Sequence, residues 1–248
     1  MENIFISESP DSTGSKKAFV KSGVFITFII PSLGRDSLKD SIQSLYELSD
    51  PSWNAVIIFD GIKSNLEFVD LEKIKIIESD KIGHAGLLRN IGMNYIRSQE
   101  GLPRCGSGGI RSDEGTNDSI LNTNQPEWFG FLDDDDYLSS DYIDKLKLEF
   151  QNSKEQANAI IFRMGYPNKT IIPSKNSKQI IKCNVGISFA IQSNIAKINQ
   201  FNPGLFEDYI FLKMLESKKY CIMISSYVCY FVRTKPYECD FYPKIFKG

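Results

Sequence analysis

The chain has 248 residues, 42% hydrophobic and 24% charged, with 29 basic against 31 acidic groups, five cysteines and one histidine. That length buries a substantial core, as one domain near the upper size or two small ones, and the near-neutral balance leaves no electrostatic footprint for duplex nucleic acid or an anionic membrane. The single histidine, His84, excludes a metal site built mainly from imidazoles, so any metal here is held by oxygen or sulfur.

Residues 1–22 are polar and Ser/Lys-rich and read as a flexible tail. Val24–Ile30 is a buried strand; it is too short and lacks the cleavage pattern of a signal segment. Leu38, Ile42 and Leu45 then recur on one helical face. Asn54–Phe59 and Ile74–Ile77 are further strands, followed by a helix over about Ala85–Arg97 with Leu88, Ile91 and Tyr95 inward. Residues 101–126 are rich in Gly, Ser, Asn and Asp and read as a polar insertion, disordered or a surface excursion, at the sheet edge opposite the chemistry. Trp128–Leu132 is the next strand. Ser139 or Ser140 caps a helix bearing Ile143, Leu146 and Phe150, and Ala159–Met164 is a strand. Ile187–Gln192 and Ile222–Val232 are the last strands, with a helix over Phe206–Ser217 whose apolar face is Phe206, Ile210, Met214 and Leu215. The βαβα order predicts an α/β fold with a mostly parallel sheet flanked by helices. No apolar run reaches the roughly 20 residues needed to span a bilayer. The cysteines, at 105, 183, 221, 229 and 239, form no C-x-x-C pair and read as scattered reduced thiols of a cytoplasmic protein, with peripheral membrane association as an alternative.

The chemistry gathers at strand ends. Asp133, Asp134, Asp135 and Asp136 follow the strand WFGFL directly. On an extended backbone Asp133 and Asp135 point one way and Asp134 and Asp136 the other. Carboxylates so close repel unless solvent or a cation intervenes, which suits a hard divalent ion; the plain alternative is an acidic turn capping the next helix, a role that fits Asp136. Asp60 ends IIFDG, placed to accept a hydrogen bond from a nucleobase or to form a turn. Pro31-Ser32-Leu33-Gly34-Arg35 leaves strand one where nucleotides commonly sit, with no G-x-G-x-x-G or P-loop. Gly83 opens a Gly-punctuated loop that enters the helix carrying Arg89, a phosphate or carbonyl ligand or else an ion-pair partner. His84 reads as a turn residue, with a place near the nucleotide as the alternative. Glu207 and Asp208 open a late helix, where the dipole favours acids and keeps a general base ionised. Successive helical residues diverge by about 100°, so one of the two faces the site.

In order and spacing, IIPSLGR, IIFDG, LRNIG, FLDDDDYL and FEDYIFL resemble the motifs of inverting family 2 glycosyltransferases with the GT-A fold, over about residues 24–232. The resemblance implies a GT-A, Rossmann-like mixed sheet in a single compact domain with a C-terminal acceptor-side region. Residues 23–136 would form the nucleotide-sugar half and 137–248 the acceptor and catalytic-base half. It implies a nucleotide-sugar donor, UDP-linked, and a glycan or glycoconjugate acceptor. Pro31, Ser32, Arg35, Asp60, Gly83, Arg89, Asp133 and Asp134 would bind the donor. Asp135, with Asp133, would hold Mn²⁺ or Mg²⁺, and Asp208 would be the base that takes the acceptor proton.

Departures from the pattern are a single acid after strand two and no late histidine; Arg233 or Lys235 would neutralise phosphate instead. The competing readings are a non-catalytic nucleotide- or glycan-binding module and a haloacid-dehalogenase-like phosphatase. The latter places its nucleophilic Asp after the first strand rather than the fourth.

Overall fold

The computed structural model describes residues 25–64, 66, 69–99 and 127–234. The expected tail, the polar insertion and Lys235 lie outside the described residues. Fourteen elements follow in order: β1 (Ile26–Ser32), α1 (Leu38–Tyr46), β2 (Trp53–Asp60), β3 (Ile74–Ser79), α2 (Ala85–Gln99), β4 (Trp128–Phe131), β5 (Tyr137–Leu138), α3 (Tyr142–Asn152), β6 (Ala159–Gly165), β7 (Ile171–Ile172), β8 (Phe189–Gln192), α4 (Ser193–Ala196), α5 (Glu207–Ser217) and β9 (Ile222–Phe231).

β1 and β2 are buried along their whole length, which is why they read as unbroken apolar runs rather than alternating ones. They lie at the heart of one sheet ordered β3-β2-β1-β4-β8-β6-β9-β5, with β7 paired to β6. β1 is parallel to β2 and β4, β2 is parallel to β3, and β6 is parallel to β9. β8 runs antiparallel between β4 and β6. The sheet is therefore mixed and mostly parallel, as expected.

The order places the site. From β1 the chain steps outward to β2 and β3, then returns to the other side of β1 as β4. Between β1 and β4 the winding reverses, and a crevice opens beyond their carboxyl ends. Ser32, Asp60 and the acidic run all sit there. Helix α2 is drawn close by Gly92: a Cβ there would lie 2.7 Å from Ile29 and 2.9 Å from Ile58. An aromatic cluster seats α5, with Phe201 and Phe211 stacked at 4.2 Å and Phe131 edge-on to Phe201 at 5.2 Å. Asn90 of α2 donates to the Phe201 carbonyl and accepts its N–H, each at 2.9 Å, so α2 and the approach to α5 are locked together.

Several details differ from the sequence reading. α5 buries Phe211, Leu212 and Leu215 and exposes Ile210, because the packing surface is the aromatic cluster. α3 takes Asp141 as its N-cap, without a side-chain capping bond, rather than Ser139 or Ser140. β5, β7 and α4 are too short to leave a periodic signal. Cys183 is disulfide-bonded while Cys221 and Cys229 are free, so the cysteines are not all reduced thiols. Among the described residues no helix is long and apolar enough to cross a membrane.

Candidate active site

β4 stops at Phe131, and the acidic run turns instead of continuing extended: the Asp136 N–H donates to the Asp133 carbonyl at 3.2 Å. The alternation survives the turn. Asp134 and Asp136 are buried and Asp133 and Asp135 half-buried, though all four line the cleft. Asp134 accepts from the Ser32 hydroxyl at 2.9 Å, the Leu33 N–H at 2.8 Å and Arg35 at 2.8 Å. The Ser37 hydroxyl donates to its backbone carbonyl at 2.9 Å. Asp134 thus ties the β1–α1 loop to the exit of β4. Asp136 does not cap α3; it accepts the Arg233 N–H at 3.1 Å beyond β9. Burial, chiefly, pushes Asp136 up to about 7. Asp135 is also raised, first by burial and then by repulsion from Asp133, with Arg35 opposing; Arg35 donates to it at 3.2 Å.

Arg89 is the centre of the site. It is 2% exposed on α2, and its guanidinium reaches Asp133 at 2.6 Å, Glu207 at 3.1 Å and Asp208 at 3.5 Å. Burial alone would depress it, but Asp133, Asp208 and Glu207 outweigh that and raise it. Both acids at the start of α5 face the cleft and share Arg89, where one had been expected to turn away. Glu207 holds the closer contact, which leaves Asp208 the less engaged carboxylate. Desolvation pushes Asp208 up to about 7; Arg89 opposes this, and Glu207 and Asp133 add to it.

The opposite rim is built around Asp60, which is buried at the end of β2. Its two oxygens accept the Ile82 N–H at 2.5 Å and the Gly83 N–H at 2.9 Å, so it clamps the loop entering α2. Gly83 adopts φ +75°, which a side chain would strain. His84 is exposed, and its carbonyl accepts the first N–H groups of α2, the turn role expected. Pro31, Ser32, Arg35, Asp60, Gly83, Asp133, Asp134 and Asp208 all line one cleft of about 850 Å³, and Arg89 lies beneath its acids. Arg233 is the exception: it pairs with Asp40 of α1 at 2.8 Å and lies 5.4 Å from the Tyr137 ring centroid, not at the cleft.

Sequence reasoning did not place Lys81, Tyr166, Val185, Ile187 or Phe206 at the site, although all line the same cleft. Lys81 left no signal of its own, and Ile187 and Phe206 read only as strand and helix residues. Among the described residues no group of three or more His, Cys, Asp or Glu side chains is arranged to hold a metal alone. Asp133 and Asp135 nevertheless present hard carboxylate oxygens to the cleft. A cation of the Mg²⁺ type takes one or two carboxylates and completes its shell with phosphates and water, so this donor set fits one that arrives with a phosphorylated ligand.

No protein-family model matches the sequence, and no curated protein matches it. Solved structures do. The S. aureus TarS fragment 1–349 superposes with a TM-score of 0.56 at 14% identity, covering 84% of this chain and 60% of that one. The same fragment with UDP-GlcNAc gives 0.58 at 14% identity, over 85% of this chain and 59% of that one. With UDP it gives 0.57 at 14% identity, over 86% and 61%. The chain spans about 60% of the length of those fragments. The likeness is one of fold, and it bears out the expected GT-A-like architecture.

Proposed function

We propose that this chain is an inverting, metal-dependent glycosyltransferase of the family 2 kind. It moves a sugar from a UDP-linked donor to a hydroxyl of a glycan or glycoconjugate. The observation that carries the reading is the convergence of Asp133 and Asp208 on one buried guanidinium, at 2.6 and 3.5 Å. A donor-side carboxylate and a candidate base are thereby held across one cleft at the sheet's switch point. The TarS structures solved with UDP-GlcNAc and with UDP support the donor class.

In this reading the nucleoside lies between Pro31 and the loop that Asp60 clamps. Asp133 and Asp135 would hold Mn²⁺ or Mg²⁺, which neutralises charge growing on the leaving diphosphate. Arg35, half exposed above Asp135, meets the diphosphate from the other side. Asp208 takes the proton from the acceptor hydroxyl as its oxygen bonds to C1. The C1–phosphate oxygen bond breaks on the far side, and UDP leaves with the electron pair. A carboxylate poised near 7 suits this work, since base strength and ionised fraction are balanced there. Glu207 keeps Arg89 in place rather than taking the proton.

The test is UDP release from UDP-sugars with Mn²⁺, alone and with acceptors. Asp208→Asn should abolish transfer and leave UDP affinity nearly unchanged. Absence of UDP binding and release across several sugar nucleotides would sink the reading; loss of UDP affinity in Asp208→Asn would sink the base assignment.

A further inference from the structure

The cleft divides by chemistry. Arg35, Asp60, Lys81, Asp133 and Asp135 come from the exits of β1, β2 and β4 and the loop before α2, whereas Met164, Tyr166, Ile172, Val185, Ile187 and Phe206 come from β6 and its exit, β7 and the segments before β8 and α5. Four of that second group, Met164, Ile172, Val185 and Ile187, are buried, so this is a wall and not loose surface. Phe206 is half-buried and stands directly before Glu207 and Asp208.

Its backbone is one of six at positive φ among the described non-glycine residues, and Phe206 is the one of them that stands at the start of α5. Phe206 is the N-cap of α5 with φ +63° and ψ +29°, the left-handed region that bulky residues avoid, and it makes no capping hydrogen bond. A Ser, Asp or Asn would cap the helix, and a Gly would relax the backbone. Phe does neither. Such conformations gather at ligand clamps, where the surroundings enforce them. The ring is also already used as a platform: the exposed Lys182 ammonium lies 4.1 Å from its centroid. A ring has two faces, and Lys182 takes one.

We propose that Phe206 and this wall form an acceptor subsite for a glycoside with an apolar aglycone. The sugar ring stacks on Phe206 and turns a hydroxyl toward Asp208, while the aglycone runs along Val185 and Ile187. This names the acceptor class within the transferase reading and rests on it. A free polyol or a phosphodiester chain would bring its polar groups against the apolar side chains of Met164, Ile172 and Ile187.

The test uses the full chain with UDP and Mn²⁺, titrated calorimetrically with octyl β-D-glucopyranoside below its micellar concentration and with methyl β-D-glucopyranoside. The octyl glycoside should bind about tenfold tighter or better, since each buried methylene adds affinity. Phe206→Ala should weaken it by about tenfold, the scale of a lost ring contact. Phe206→Gly should weaken it equally while raising the melting temperature, because glycine is at ease at φ +63°. Equal affinities for the two glycosides, no effect of Phe206→Ala, or a lower melting temperature in Phe206→Gly would each overturn the proposal. UDP titrated separately reports on the transferase reading: failure there removes the enzyme, whereas failure of the glycoside alone removes only this subsite.

Discussion

Replacing Arg89 by Met tests whether one buried charge organises the site. Arg89 faces Asp133, Glu207 and Asp208 at 2.6, 3.1 and 3.5 Å and is 2% exposed, so Met fills its volume but leaves three carboxylates without a counter-charge. Breaking a buried pair from one side costs about 3–5 kcal/mol. These carboxylates keep some solvent access, so the lower end, about 3 kcal/mol, is expected. The larger effect is on Asp208. It stands at about 7 with Arg89 present, and Arg89 is the influence holding it down. An adjacent arginine lowers an Asp by about 1–3 units, so Met at position 89 should carry Asp208 up by that much. At pH 7 its ionised fraction falls from about one half to about one tenth for a one-unit shift, and to about one thousandth for three. Transfer at pH 7 should drop at least about fivefold and recover in part above pH 8. The assay is a pH–rate profile of both proteins, with thermal melts run alongside. The sign also shows in the wild-type melts. Asp208 is raised above its unfolded value, so its contribution to stability is complete below about 4 and is lost as pH rises through 7. An Arg89→Met protein that stays folded with an unmoved profile midpoint would refute the coupling.

Other consequences follow from single contacts. Asp134→Ala removes the acceptor of Ser32, Leu33 and Arg35 and should lower stability by about 2–4 kcal/mol, whereas Asp135→Ala should melt near wild type and lose the Mn²⁺ dependence of UDP binding; melts and UDP titrations with and without Mn²⁺ separate the two. Asp60→Asn exchanges one accepting oxygen for a donor facing an N–H, so the Ile82 and Gly83 amides should exchange faster with deuterium, at a cost of about 1–3 kcal/mol. Unchanged exchange would mean that Asp60 is not the clamp. Gly92→Ala brings a methyl 2.7 Å from Ile29 on a sheet that cannot yield freely. Overpacking of about 1–3 kcal/mol exceeds the roughly 1 kcal/mol gained in helix propensity, so the melting temperature should fall by a few degrees.

How far the sequence carried depended on what set each position. Buried parallel strands announced themselves: the unbroken apolar runs of β1, β2 and β4 are what a two-faced core demands, and their polar exits named Ser32, Asp60 and the acidic run. The alternation of the four aspartates was also legible, because burial of Asp134 and Asp136 outlasted the turn that broke the strand. The face of α5 was legible only in part. Periodicity found Leu215, which is buried, and Met214, which packs on the core, but it favoured the exposed Ile210 and missed Phe211 and Leu212, because the helix packs on Phe201, an aromatic brought in from a loop by its bonds to Asn90. The apolar wall of the cleft was equally hidden, since Tyr166, Val185 and Phe206 come from separate short segments with no shared period.

The base proposed here is a carboxylate, and the one histidine is exposed in a turn. A carboxylate in water is ionised but weak, near 4. Burial strengthens it and at the same time threatens to neutralise it altogether. Arg89 resolves that conflict from a distance. Its firmest contacts go to Asp133 and Glu207, and the longest, 3.5 Å, to Asp208. A closer pairing would pull Asp208 back toward an ordinary carboxylate. No pairing would leave it protonated and inert at neutral pH. Glu207 is therefore more than a neighbour in a favourable helix turn. Its closer hold on Arg89 and its own repulsion both keep Asp208, the proposed base, above an ordinary carboxylate. On that reasoning Glu207→Gln should free Arg89 toward Asp208 and shift the acid limb of the pH–rate profile downward with a lower plateau. Loss of the repulsion from Glu207 moves the limb the same way, so an unmoved or upward-shifted limb would refute the reasoning.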